Sequence, residues 1–288
     1  MNASKNPVAL YGLKYNPFLP DIPVENLWRH PAVDDFFFRV ENTVMDGGFA
    51  LLTGEPGLGK SKTLHLLHQH LSRLGHDVIV AAMERPQNSL ADLYREMGSL
   101  FGTPLNVSNR YGGFKALRER WRHHINSTLL HPVLLLDEAQ EANPAVFKEL
   151  RLLASADFDS KCLLTCVLCG DDRLPEVLAQ RDLIPLGSRI RARLQLQSLS
   201  NQQLLAFLQH CLHAAGAEHL LTDGLQCSLV EHSLGNPRIL CIMANDLLYA
   251  AAARDAKQLD EQLYLDIFAA RPSKPPRTRQ TVANRRVA

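Results

Sequence analysis

Through the first two hundred residues, short and wholly apolar runs alternate with longer stretches in which apolar positions recur every three or four residues. The apolar runs at 49–53, 77–83, 133–137 and 163–169, with a shorter one at 193–197, predict five strands. Helical periodicity predicts helices at 31–45, 60–74 (with Gly75 as its stop), 89–101, 113–129, 144–154 and 174–180. Strands that are apolar throughout, each followed by a helix, imply a parallel sheet covered on both faces, an α/β architecture. Beyond Ser198 the strand signal ends. Only helical patterns follow, at 201–215, 223–234, 237–254 and 260–270. The expected organisation is an extended Pro- and aromatic-rich arm at 1–30, an α/β nucleotide-binding domain at 31–198, a small all-helical lid at 199–270, and a basic, disordered tail at 271–288.

Composition changes this picture little. Of 288 residues, 46% are apolar and 21% charged, enough to build a core and ordinary for a globular chain. No apolar run approaches the ~20 residues of a membrane span. The first ten residues lack the apolar stretch of a secretory signal, so the cytoplasm is the expected compartment and no membrane partner is expected. Charge is uneven. Of 31 basic residues six lie in the last eighteen positions, which hold no acid, leaving 25 against 30 acidic residues elsewhere. Attraction to a polyanion must therefore come from local patches or the tail. Among the six cysteines, Cys162, Cys166 and Cys169 crowd one segment. An extended strand would point Cys166 and Cys169 to opposite faces, which favours buried thiols over a metal site.

The turn after the first predicted strand carries the chemistry. Gly54-Glu55-Pro56-Gly57-Leu58-Gly59-Lys60-Ser61 is a complete phosphate-binding loop placed between a strand and a helix. Glycines there let backbone N–H groups converge on a phosphate, and the helix start adds its positive dipole end. Lys60 is expected to reach the β- and γ-phosphates and Ser61 to ligate Mg²⁺, while Lys62, the next residue, points away. The third predicted strand ends in Asp137-Glu138: Asp137 can hold the metal through water, and Glu138 can polarise an attacking water. Two arginine positions complete the set. Arg238, in Gly235-Asn236-Pro237-Arg238, opens a helix and is expected to reach back to the γ-phosphate. Arg189, with Arg193 as second choice, precedes the fifth predicted strand and faces a neighbouring copy's site, where a guanidinium supplied in trans accelerates hydrolysis roughly 10³–10⁵-fold. Arg110, Lys115, Arg118 and Arg122, with Trp121 beside them, form a basic stretch whose spacing places the last three cations on one helical face.

The ordered set of Asn16-Pro17-Phe18, the loop 54–61, Leu136-Asp137-Glu138-Ala139-Gln140, Leu168-Cys169-Gly170-Asp171-Asp172, Ser188-Arg189-Ile190 and 235–238 resembles AAA+ ATPases. Within them it is similar to the group holding the secretion ATPase ExeA and the transposition regulators TnsC and TniB. The resemblance runs over almost the whole chain and implies ATP and Mg²⁺ as cofactors, ATP hydrolysis, and a homo-oligomeric ring or helical filament. It also implies a regulator of transposition that assembles on double-stranded DNA and engages a transposase and a target-selector protein; the basic stretch at 110–122 offers the candidate DNA contacts, with a solvated basic face as the alternative. An ExeA-like protein-assembly ATPase and a helicase-loader type are the alternatives. One position departs from the family: where Gln or Asn often senses the γ-phosphate, this chain has Asp171, which a phosphate would repel.

Overall fold

The computed structural model describes residues 6–74, 78–83, 89–103, 105 and 109–269. The predicted helix stop at Gly75 and the basic tail at 271–288 lie outside them. Five strands form one parallel sheet: β1 (Gly48–Gly54), β2 (Val78–Met83), β3 (His131–Leu136), β6 (Thr165–Gly170) and β7 (Ile190–Leu196), in the order β2-β3-β6-β1-β7. A two-residue-per-arm hairpin, β4 (Ser155–Ala156) and β5 (Lys161–Cys162), stands apart from it.

The period-two alternation of the strands sorts their side chains into two cores. Phe49, Leu51, Leu134, Leu136, Cys166 and Leu168 pack on one face against α4 (Leu90–Leu100), α5 (Arg110–His123) and α6 (Pro144–Ala154), where Leu93, Trp121 and Phe147 are buried. Ala50, Leu52, Val133, Leu135, Val167 and Cys169 pack on the other against α2 (Val33–Asp46) and α3 (Lys60–Arg73), with Phe36, Phe37 and Leu67. Cys166 and Cys169 thus face opposite ways, as the strand geometry requires. Burial holds both thiols well above their usual pKa, so neither is a ready nucleophile.

A third core belongs to the helices that follow the sheet: α9 (Asn201–Ala215), α10 (Asp223–His232), α11 (Pro237–Ala253) and α12 (Glu261–Tyr264). Each is started by a side-chain cap. Ser200 and Gln203 cap α9 reciprocally, Thr222 caps α10 and Asn236 caps α11 ahead of Pro237. The N-terminal segment is tied to this group. It forms the short helix α1 (Pro7–Leu10), buries Leu13 and Phe18 among the helices, and hydrogen-bonds Asn16 Nδ2 to Asn245 Oδ1 at 2.8 Å. Among the described residues no helix is long and apolar enough to cross a membrane.

Several elements differ from expectation: the hairpin was not predicted, and the arm expected to be extended carries α1. The edge strand β7 begins at Ile190, three residues early, because Arg191 and Arg193 sit on its exposed face and mask its alternation in the sequence. The predicted strand from 163 begins at Thr165, since Lys161–Cys162 is spent on the hairpin. The helix predicted at 113–129 starts at Arg110, where Asn109 accepts from the Gly112 N–H. It ends at His123 and runs through a wider turn to Leu129, whose φ is +57°. Two shorter helices, α7 (Arg173–Leu178) and α8 (Ile184–Gly187), link β6 to β7.

Candidate functional site

In an open parallel sheet, ligand sites form outside the carboxyl ends of the strands where the strand order reverses. Here β1 lies between β6 and β7 while the chain leaving it runs to β2 at the far edge. Gly54 ends β1 opposite Leu196 of β7, and Thr53 stands opposite Gly170 of β6. The phosphate-binding loop therefore sits at the mouth of the switch point.

Its glycines are required by backbone shape. Gly54, Gly57 and Gly59 have φ of +152°, +93° and +94°, a region that L side chains rarely adopt. Gly59 is the left-handed cap from which α3 springs. A Cβ on Gly59 would meet nothing within 4 Å, so the loop is open there, whereas one on Gly57 would lie 2.5 Å from Asn236 Oδ1. Lys60 opens α3 and is only 8% exposed. Its Nζ donates to the carbonyls of Gly54 (2.8 Å) and Glu55 (3.1 Å). An ammonium buried among neutral carbonyls costs solvation that an anion at the loop would restore. Glu55 and Pro56 are exposed, Leu58 half-buried, and Ser61 exposed at the start of α3. Lys62 donates to the carbonyl of Pro20.

The carboxylates arrive from β3. Asp137 follows its last residue; its N–H donates to Met83 O at 3.2 Å, and its Oδ1 accepts from the Glu138 N–H at 2.9 Å. Glu138 is exposed and has φ +49°, left-handed for a residue with a branch at Cα. The buried Cys169 thiol records how close the set is. Burial raises its pKa first, then the neighbouring Asp137 charge and hydrogen bond and the more distant Glu138, while Lys60 acts in the other sense. Asp137, Lys60 and Glu138 all act electrostatically on this thiol, Asp137 through a hydrogen bond as well. Lys60 is a cation set among neutral carbonyls, the charge a triphosphate calls for, and the Ser61 hydroxyl and Asp137 carboxylate are hard oxygens of the kind that suits Mg²⁺. The residues present fit both.

Asp171 does not confront the loop as a bare charge. Its carboxylate accepts from Arg173 Nε (2.8 Å) and the Arg173 N–H (3.0 Å), and Arg173 Nη2 reaches Glu141 Oε1 at 2.5 Å. The Arg173 guanidinium holds its acid group below the usual carboxylate range, with a small further contribution from Lys60. The repulsion expected from the sequence is therefore screened by a neighbour two residues on.

The helical group meets the loop through Asn236 and Arg238. Asn236 Nδ2 donates to Pro56 O at 3.0 Å, while its Oδ1 caps α11 by accepting from the N–H groups of Arg238 (3.0 Å) and Ile239 (3.4 Å). Arg238 is exposed, and its Cβ would lie 3.0 Å from a Cβ on Gly57. Gly235 makes the approach possible: its φ is +78°, and a Cβ there would lie 2.8 Å from Leu199 O.

Arg189 and Arg193 lie elsewhere. Arg189 precedes β7 and its carbonyl accepts from the Phe49 N–H, five residues before Gly54 along β1. At ~3.3 Å per residue this is about 16 Å from the loop of the same chain. Its guanidinium is held by Asp159 Oδ2 (2.5 Å) and Pro185 O (3.1 Å). Arg193, inside the strand opposite Leu51, donates to Gly187 O at 3.2 Å.

The basic stretch on α5 is largely committed within the chain. Arg110 pairs with the buried carboxylate of Glu149, which also accepts from Tyr94. Arg118 donates to Leu152 O at 2.9 Å and lies over the Phe114 ring. Lys115 and Arg122 make looser pairs with Glu119 (3.7 Å) and Asp157 (3.9 Å). Trp121 is fully buried, edge-on to Phe101, and is no surface platform.

Sequence reasoning passed over three members of the site: Asn236, Gln140 and Arg173. Asn236 carries a recognisable signal, a capping side chain directly before a helix-starting proline. The other two each join a neighbour two residues away to a partner on another segment, Gln140 joining Glu138 to Asp171 and Arg173 joining Asp171 to Glu141, and only the folded chain brings those partners together.

Comparison with known proteins agrees with this geometry. Residues 43–178 match a family model described as an AAA domain. Over 254 residues, 86% of this chain, the sequence is 34% identical to general secretion pathway protein A of Aeromonas hydrophila; the match spans 45% of that protein's length. The fold resembles Cdc6p of Pyrobaculum aerophilum (TM-score 0.70, 18% identity, 86% of this chain and 68% of that one). It also resembles the ORC2 protein of Aeropyrum pernix (0.68, 16%, 91% and 73%) and the RuvB Holliday junction branch migration motor of Thermotoga maritima (0.54, 19%, 87% and 72%). At such identities these three inform on the fold alone.

Proposed function

Since this chain carries an AAA+ P-loop ATPase domain, which uses ATP and Mg²⁺, we propose that it is the nucleotide-driven switch of a protein-assembly system of the secretion-pathway kind, acting in the cytoplasm. One observation carries the reading: the 34% identity to general secretion pathway protein A extends over 86% of the chain, beyond the residues the AAA model matches. In this reading residues 31–198 bind and cleave the nucleotide, 199–270 form the lid, and the 1–30 segment ties into the lid.

Each residue's task follows from its place. The loop 54–59 and Lys60 bind the triphosphate. Ser61 and Asp137 hold Mg²⁺, which supplies charge neutralisation on the phosphate oxygens. Glu138 accepts the proton of the attacking water at its carboxylate. Arg238, carried on the lid beside Gly57, reports whether the terminal phosphate is present, so lid position and nucleotide state are coupled through Asn236 and Pro56. Arg189, with Arg193 second, is too far along the strand to serve its own loop and is presented to a neighbouring copy, which makes ATP the joint of a homo-oligomer. Release of Arg189 from Asp159 accompanies that assembly.

The competing reading is a transposition regulator that assembles on double-stranded DNA and engages a transposase and a target selector. It rests on the ordered motif set and the basic tail. Against it stands the commitment of Arg110 and Arg118 to partners within the chain. Sedimentation of the protein with ATP, a slowly hydrolysed analogue or ADP, each with and without duplex DNA, separates the two. Triphosphate-dependent oligomers that form equally well without DNA support the assembly switch. Oligomers that require duplex, with affinity falling steeply in salt, replace it with the transposition reading.

A further inference from the structure

The proposed water-polarising carboxylate does not stand alone. Gln140 Nε2 donates to Glu138 Oε2 at 2.6 Å, and Gln140 Oε1 accepts from the Asp171 N–H at 3.1 Å. One side-chain amide thus joins the end of β3 to the end of β6, using its donor on one strand and its acceptor on the other. The backbone is arranged around this bridge from both sides. Glu138 has φ +49°, a conformation that persists only where its surroundings over-determine it. Three contacts do so: the Asp137 carboxylate on its N–H, the Glu141 N–H on its carbonyl and the Gln140 amide on its side chain. On the β6 side, a Cβ on Gly170 would lie 2.4 Å from Gln140 Oε1, so the amide passes through space that only glycine leaves free. Gln140 makes the tightest of these contacts, and Leu174 Cδ2, 2.9 Å from the same Cβ, adds to them. The nearby carboxylates of Asp171 and Glu141 are both held by Arg173, which leaves Gln140, from the β3 side, as the polar group bonded to Glu138.

We propose that Gln140 is the positioning residue for Glu138: it fixes Oε2, leaves Oε1 to take the proton of water, and supplies from the β3 side the uncharged polar contact that Asp171, neutralised by Arg173, does not make. This rests on the ATPase reading above. It deepens that reading by naming the residue that orients the base and the strand end to which the base is coupled.

The test is steady-state ATP hydrolysis by the full chain, with binding of a slowly hydrolysed analogue measured by calorimetry on the same preparations. Gln140→Met keeps length and volume but cannot donate and accepts only weakly. It is expected to lower kcat at least tenfold while Kd for the analogue stays within twofold. Gly170→Ala, which displaces the same amide from the β6 side, should give a similar loss, and the pair together no more than either alone. In a Glu138→Gln background, Gln140→Met should have no further effect, whereas a merely structural residue would reduce the remaining rate independently. Unchanged or increased kcat in Gln140→Met, or independent losses in the double variants, overturns the inference and leaves the ATPase reading intact. Absence of analogue binding and hydrolysis in the unaltered chain overturns both.

Discussion

Lys60 and Arg110 are each the first residue of a helix, α3 and α5 respectively, and each lies against one face of the same sheet. They differ in what counters them. Lys60 rests on two neutral carbonyls, Gly54 O and Glu55 O, so its full charge remains for an incoming anion. Arg110 rests on the buried carboxylate of Glu149, and its charge is spent inside the fold. A cation serves a ligand when the chain surrounds it with dipoles, and serves the fold when the chain surrounds it with acid. The same contrast covers the neighbours. Around the loop the ion pairs, such as Arg173 with Asp171, remove a repulsion; on α5 they remove the attraction itself.

The strongest way to test the loop side is through Glu138. Glu138→Gln is expected to lower kcat roughly 10²–10⁴-fold, the usual worth of a positioned general base. Analogue binding should be unaffected, since Glu138 is exposed and its hydrogen bonds run to Asp137, Gln140 and Glu141. Loss of binding together with rate would move Glu138 into the phosphate cradle and undo the division of labour. Next in size is Lys60→Ala. Removing the one buried ammonium at the loop is expected to cost about 3 kcal/mol, or roughly a hundredfold in Kd for ATP by calorimetry. A Kd within threefold of the unaltered chain would mean that the loop binds through backbone alone and that Lys60, like Arg110, is structural.

Why one side of the contrast was legible in the sequence and the other was not comes down to separation along the chain. The partners of Lys60 lie five and six residues away, within one strand–turn–helix unit whose glycine spacing is itself the signal. Strand β3 announced itself likewise, as an apolar run ending in Asp137-Glu138. Glu149 is 39 residues from Arg110, on a different helix, and no local pattern marks it. The strand order could not be read either, because every buried strand has the same apolar character. The hairpin at 155–162 was missed for another reason. Its tip, Asp157-Phe158-Asp159, takes three consecutive positive φ values without a glycine to flag the turn. Gln140 and Asn236 stood inside motifs already quoted, but their tasks depend on Gly170 and Pro56, which only the folded chain brings near.

The α5 side is tested first through stability. Arg110→Ala leaves Glu149, 2% exposed, with the Tyr94 hydroxyl as its remaining named partner. A loss of about 2 kcal/mol in chemical denaturation is expected from an under-compensated buried carboxylate. Glu149→Gln in the Arg110→Ala background should recover part of it, because the uncompensated charge goes. If Arg110→Ala is neutral for stability but weakens duplex binding, its charge was available to a ligand after all, and the contrast with Lys60 fails.

The smallest effect, and the finest discrimination, comes from the two loosely paired cations. Lys115 and Arg122 face Glu119 and Asp157 at 3.7 and 3.9 Å, with side chains largely exposed. Exposed pairs of this kind are worth ~0–1 kcal/mol, so Lys115→Ala with Arg122→Ala should leave the unfolding midpoint nearly unmoved. These two are also the cations on α5 that the fold holds least firmly, which makes them the fair test of a polyanion surface. On the assembly-switch reading the double variant oligomerises with ATP as the unaltered chain does, and its affinity for duplex DNA is unchanged across salt concentrations. If each cation instead neutralised one phosphate, the double variant would bind more weakly and the slope of log K against log salt would become shallower by about 1.8. That slope is insensitive to small changes in folding stability, so it reads the destination of these charges directly.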